Sequence, residues 1–119
     1  MKETAHNIKT GIHGEQLATA YLAAKGYEIL EQNYRTGRME VDIIACDKQF
    51  LVFVEVKTRS SSKFGFPEAS VKESKKQHIR QAAEAYLSKS PTQLFLRFDI
   101  VSVMLRNGKH EITHFKDAF

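Results

Sequence analysis

Residues 39–59 read MEVDIIACDKQFLVFVEVKTR, and this stretch decides the fold. Leu51 to Thr58 is β-branched or aromatic almost throughout, which predicts a strand. It is apolar on both faces, as in a strand at the middle of a sheet covered on both sides. Ile43-Ile44-Ala45-Cys46 is equally apolar, and the polar Asp47-Lys48-Gln49 between the two runs predicts a hairpin turn. An ionised side chain in such a setting is costly unless it is paired or bound. Yet Asp42 leads into the first strand, and Glu55 and Lys57 stand within the second. The period of two puts Glu55 and Lys57 on one face, and closing the hairpin brings Asp42 opposite them.

Two carboxylates and an ammonium at one end of a buried hairpin have a chemical use. Hard divalent ions such as Mg²⁺ take oxygen ligands, often one or two carboxylates completed by waters and substrate phosphates. Asp42 and Glu55 fit that need, and Lys57 is placed to orient or activate the attacking water. Glu40 is expected on the same face as Asp42, as ligand, as support to a ligand, or as the wet beginning of the strand.

The 119 residues are expected to form one domain over 1–119, large enough to close a core without staples. The chain is 42% hydrophobic and 27% charged, which suits a soluble globular protein. Cys46 is the single cysteine, so no internal disulfide forms, and a buried thiol in an apolar strand behaves as a small hydrophobe. No Cys and His have zinc-ligand spacing. No apolar run has the length of a signal peptide core or a membrane span, so no membrane partner and a cytoplasmic location are expected. The net charge is +4, and from Lys57 to Arg80 seven lysines and arginines face two glutamates. The basic excess thus begins at the candidate site and favours an anionic partner.

Upstream, Asn7 to Lys25 reads as a helix weakened by Gly11 and Gly14, with Glu15 on the apolar stripe of Ala18 and Leu22. Glu15 is read either as a further metal ligand or as a first-turn residue favoured by the helix dipole. Gly26 caps the helix, and Tyr27 to Tyr34 forms an edge strand. Arg35 and Arg38 flank the acidic strand as phosphate contacts or as surface residues, solvated or paired with Glu31. Downstream, Ser60 to Pro67 reads as a loop whose Phe64 or Phe66 either stacks on an unpaired base or docks on the core. Ser70 to Leu87 forms the second helix, with Ser70 and Glu73 as a capping box. Lys75 lies at its inward margin, a phosphate contact or part of a solvated face, with Lys72, Lys76 and Arg80 outward. Leu94 to Leu105 is another apolar strand, and its Asp99 is read as pairing with Arg97 or another polar group in preference to a metal. Asn107-Gly108 turns the chain into an edge strand, His110 to Phe115. The crossover through the second helix makes the pairing of the E-x-K strand with Leu94 to Leu105 parallel in an otherwise antiparallel sheet.

Glu40-Val41-Asp42 followed by Glu55-Val56-Lys57 resembles the acidic-strand and E-x-K signature of the PD-(D/E)xK nuclease superfamily. The likeness is greatest to the YraN-like proteins, with Holliday-junction resolvases further off. It runs through Gly14-Glu15, Gly26-Tyr27, Asn33-Tyr34-Arg35, Gly65, Lys75, Tyr86-Leu87 and Arg97-Phe98-Asp99. Position 41 carries Val where the superfamily has proline, and position 39 carries Met where YraN-like chains commonly carry Gly. The resemblance implies an α/β restriction-endonuclease-like fold, a mixed β-sheet flanked by helices. It implies a Mg²⁺-dependent DNA endonuclease, with Mn²⁺ able to substitute, acting on branched or single-stranded DNA in repair or recombination. Asp42, Glu55, Val56, Glu15 and Glu40 would form its metal site, and Lys57 would serve the water. Arg35, Arg38, Arg59, Lys63, Lys75 and Lys76 would meet DNA, and a homodimer would suit a two-stranded junction. The alternative is a nucleic-acid-binding module or partner subunit with a vestigial site. A purely structural Glu55–Lys57 ion pair would leave the charge of Asp42 and Glu15 unexplained.

Overall fold

A computed structural model describes residues 5–60 and 71–119, with side chains from residue 9 onward. Seven elements follow one another: α1 (Ala5–Ala24), β1 (Glu28–Thr36), β2 (Met39–Asp47), β3 (Phe50–Ser60), α2 (Glu73–Lys89), β4 (Phe95–Arg106) and β5 (Lys109–Phe115). The strands form one sheet in sequence order, with β1 and β5 at its edges. Only β3 and β4 run parallel, because the α2 crossover returns the chain to the same end of the sheet. The result is the α/β, restriction-endonuclease-like arrangement of a mixed sheet between helices.

Two cores lie on the two faces. Val52 and Val54 of β3 pack with Ile43, Ala45, Val101 and Val103 beneath Ala18 and Leu22 of α1. Leu51 and Phe53, one residue out of phase, pack with Ile44 beneath Ile79, Ala82 and Ala83 of α2. This double coverage is why β3 is apolar on both faces.

Gly26, at φ +94°, ends α1 in a Schellman arrangement. The Tyr27 N–H reaches Leu22 O and the Gly26 N–H reaches Ala23 O, each at 3.0 Å. Asn107 and Gly108 both have positive φ, the requirement of a two-residue type I′ hairpin. The β2–β3 turn is shorter than expected: Asp47 still pairs with Phe50, and only Lys48 and Gln49 turn. The helix expected from Ser70 begins at Glu73, with Lys72 in extended conformation at its N-cap and no side-chain cap bond. Ser70 lies outside the described residues, as do Lys63, Phe64, Gly65 and Phe66. That helix runs on to Lys89, and Pro91 shortly afterwards forbids its continuation.

Gly14 is not a flaw in α1 but a point of close approach to the sheet. A Cβ there would stand 2.7 Å from Thr58 Cβ, an atom that no change of rotamer can move. Gly14→Ala should therefore push α1 away from β3 and cost about 2 kcal/mol, a fall in Tm of about 5–10 °C. Thermal unfolding checks this, and an unchanged Tm would contradict the tight crossing.

Candidate metal centre

β2 and β3 pair from Asp47 and Phe50 as far as Ile43 and Val54. The next rung would set Asp42 against Glu55, and there a side chain replaces the ladder. The Val56 N–H donates to Asp42 Oδ2 at 2.8 Å. Val56, expected among the metal-site residues, thus serves Asp42 through its backbone. Asp42 and Glu55 are 9% and 8% exposed, buried as the hairpin predicts.

Asp42 is the hub. It lies against Glu15 of α1 and Glu55 of β3, near enough to raise the pKa of both. One oxygen each from Glu15, Glu40 and Asp42 lie within 4.8 Å of one another. Plain strand alternation does not account for this grouping. Val41 packs under α2 and Ile43 under α1, although a regular strand would put them on one face. The break falls at Asp42, between the pairs Tyr34–Val41 and Gln32–Ile43, where β1 carries Asn33 at φ +53°. Asparagine tolerates that left-handed conformation better than most residues. With its amide nitrogen turned to the surrounding acceptors, Asn33 donates to Glu15 Oε2 at 2.9 Å and Glu40 Oε1 at 3.3 Å. It ties the carboxylates of α1 and β2 together, a role its sequence gave no reason to assign.

Glu55 is not one of the close trio. Besides Asp42 its neighbour is Lys75 of α2, 3.6 Å away, so the lysine considered for phosphate contact faces the site carboxylate. Lys57 is half-buried. The unbroken register of β3 with β4 keeps it on the α2-facing side with Glu55.

The crowding has an electrostatic signature. Burial, then Asp42, push Glu55 up to about 8, against the opposing pull of Lys75. Burial, Asp42 and Glu40 push Glu15 up to about 7. Near neutrality Glu55 is therefore largely protonated, and its O–H can donate to Asp42. Both groups bind protons more tightly in the folded chain than at their ordinary value of 4.5. Their contribution to stability is thus full below that value and lost as pH rises through about 7 to 8. In EDTA, Tm should fall by on the order of 5 °C between about pH 6 and pH 8.5, and Glu55→Gln should remove most of that fall. A flat profile for the unsubstituted chain would contradict this.

The expected DNA-contacting residues are dispersed. Arg35 pairs across the strands with Glu40 at 3.4 Å, not with Glu31. Arg38 is exposed at the β1–β2 turn and Arg59 near the end of β3. Lys76 pairs with Glu73 at 3.7 Å.

Asp99 lies elsewhere, as the sequence favours. It is fully buried and held by Arg97 through two bonds of 2.9 Å, by His114 Nε2 at 2.7 Å and by the Asp117 N–H at 2.9 Å. Burial alone would raise its pKa, but these partners hold it below the ordinary value. Arg97 also reaches Asp47 Oδ2 at 3.1 Å and the Tyr27 hydroxyl at 2.7 Å. This second polar cluster is saturated internally and belongs to the α1-side core, near the β2–β3 turn.

Among the described residues, no helix is long and apolar enough to cross a membrane. A model of the family described as "Uncharacterised protein family UPF0102" matches residues 14–103, from the Gly14 crossing through Asp42, Glu55, Lys57 and Lys75. The chain is similar to a UPF0102 protein of Alkaliphilus oremlandii, 47% identical over 116 residues, covering 95% of this chain and 99% of the relative. It is similar to one of Thermodesulfovibrio yellowstonii, 46% identical over 94% of this chain and 96% of the relative. A relative in Rhodococcus opacus is 44% identical over 97% and 99%.

Proposed function

The chain belongs to the UPF0102 family, the YraN family of the PD-(D/E)xK nuclease-like superfamily, and from that premise we propose that it is a divalent-metal-dependent DNA endonuclease. Its substrate would be the phosphodiester bonds of branched DNA in repair or recombination, met in the cytoplasm, with two copies of the chain serving the two strands of a junction. The observation that carries the reading is the convergence of Glu15, Glu40 and Asp42 within 4.8 Å, beside a buried Glu55.

The donor set fits Mg²⁺ or Mn²⁺. It offers only carboxylate oxygens, the ligands hard cations take, and no thiolate or imidazole that would favour a softer ion. Burial, and then the neighbouring carboxylates, raise Glu15 and Glu55, and a cation would relieve the carboxylate part of that shift. When bound, such an ion supplies Lewis acidity toward a phosphoryl oxygen and acidifies water. The chain's own residues do the rest. Asn33 holds Glu15 and Glu40 in place, the Val56 N–H fixes Asp42, and Lys75 offsets the charge of Glu55. Lys57, on the same side as Glu55, would orient the attacking water and offset charge on the phosphate.

A second reading rests on the Glu55–Lys75 pair, which satisfies Glu55 without any ion. It makes the chain a DNA-binding subunit with a vestigial site. Calorimetric titration with Mn²⁺ and cleavage of four-way junctions, flaps, nicked duplex and single strands separate the two. Metal binding with cleavage of at least one substrate supports the endonuclease; salt-sensitive DNA binding with neither supports the subunit.

A further inference from the structure

A cavity of about 220 Å³ lies at the end of the sheet that carries the acidic cluster. Its walls come from α1, the end of β3 and the β4–β5 hairpin: His13, Ser60, Leu105, Arg106, Lys109 and His110 are the residues that give it character. An arginine, a lysine and two histidines line it, and among the described residues no carboxylate does. An adjoining cavity of about 230 Å³ shares Arg106, Lys109 and His110 but includes Glu111 and Met104, and so lacks the same one-sided charge. A concave wall of cations with hydroxyl, amide and imidazole groups is suited to an anion.

We infer that this cavity is a second phosphate subsite, holding a backbone phosphate of the nucleic acid at a fixed distance from the acidic cluster. The assignment of a nucleic acid rests on the function proposed above, whereas the anion character rests on the lining alone. The sheet sets the distance, and α1 borders both sites. On α1, His13 of the cavity and Glu15 of the cluster are two residues apart, on either side of the Gly14 crossing. On the sheet, Glu55 pairs with Ile100 and Ser60 with Leu105, so the cavity lies five residues further along both strands. Five residues of strand span roughly 16 Å. That is about five base-pair steps of duplex axis. A duplex arm could thus lie on the cavity while another part of the same molecule meets the carboxylates. None of these lining residues was marked by its spacing, because α1, β3 and the distant hairpin meet only in the fold.

The test uses Lys109→Glu, an exposed substitution, against Lys48→Glu, which makes the same change of charge at the β2–β3 turn, the opposite end of the sheet. Binding of labelled four-way junction and duplex DNA is followed by anisotropy in EDTA across a salt series. Lys109→Glu should weaken binding about tenfold at about 50 mM salt and lower the slope of log K against log salt by about one or more. Lys48→Glu should change affinity less than about twofold. Equal effects of the two substitutions, or no effect of either, overturn the subsite. So does an unsubstituted chain that binds no DNA, even if inorganic phosphate perturbs the His13 and His110 resonances. Calorimetry with Mn²⁺ keeps the two proposals apart. If Lys109→Glu retains metal binding and cleavage at saturating DNA but has lost affinity, both stand. If the unsubstituted chain binds DNA through Lys109 yet neither binds Mn²⁺ nor cleaves, the endonuclease falls and the subsite stands. If it cleaves and Lys109→Glu matches it in affinity and salt slope, the subsite alone falls.

Discussion

Asp42→Asn is expected to weaken Mn²⁺ binding by more than about a hundredfold and to bring metal-stimulated DNA cleavage down to background, while the protein stays folded. The same side chain belongs to the close trio with Glu15 and Glu40, lies against Glu55, and accepts the Val56 N–H. Asparagine keeps an oxygen for that N–H and removes a charge that adds to burial in pushing Glu15 and Glu55 up. Stability should therefore hold or rise slightly in EDTA, and the pKa values of both glutamates should drop. Asp42→Ala removes the acceptor as well, leaving a part-buried N–H unsatisfied at a cost of about 1–3 kcal/mol. It should lose metal binding equally but melt lower. The contrast between the two substitutions separates the ligand role from the ladder-ending role. Calorimetry, thermal unfolding and a cleavage time course measure all three quantities. Full cleavage by Asp42→Asn with Mn²⁺ would remove Asp42 from the site and with it the proposed activity.

Asp99→Ala should do the opposite, sparing the metal centre and damaging the fold by about 3–5 kcal/mol. Its carboxylate is the principal counter-charge of the buried Arg97, and without it the guanidinium keeps, as hydrogen-bond partners among the described residues, Asp47 and the Tyr27 hydroxyl. His114 and the Asp117 N–H lose their acceptor at the same time. Urea unfolding should show the loss in the midpoint with little change in slope. Where the variant remains folded, its Mn²⁺ affinity should match that of the unsubstituted chain. Replacing Arg97 and Asp99 together by apolar residues should cost less than either alone, since no charge is then stranded. A loss under about 1 kcal/mol for Asp99→Ala would mean that the cluster is already open to water.

What the chain discloses before folding follows from the range of the interactions. The double-sided strand Leu51–Thr58, the hairpin and the parallel crossover were legible because each is written in local pattern and connection length. Glu15 stood out because a carboxylate on an apolar stripe is a local anomaly. Asn33 did not, although an asparagine inside a strand is a signal for positive φ that could have been followed. Its effect, shifting the alternation at Asp42, appears only when β1 is laid against β2. Gly14 looked like a poor helix former because the atom that forbids a side chain there, Thr58 Cβ, is 44 residues away. Lys75 lies at the inner margin of α2 as its spacing predicts, but no local pattern could tell that it pairs with Glu55. The Arg97 cluster gathers Tyr27, Asp47, Asp99 and His114 from four parts of the chain, and only the pair two residues apart was visible in advance.

β3 leaves β2 after Val54 but stays zipped to β4 as far as Ser60. Among the described residues, the last six positions of β3 therefore have no strand on one side, and such a border is a template for another chain. Lys57 and Arg59 stand two positions apart along that border, so an incoming strand would have to bury or abut positive charge. The cations proposed to serve water and DNA thus also act as guards against self-association, and a variant neutral at both would lose solubility along with its activity.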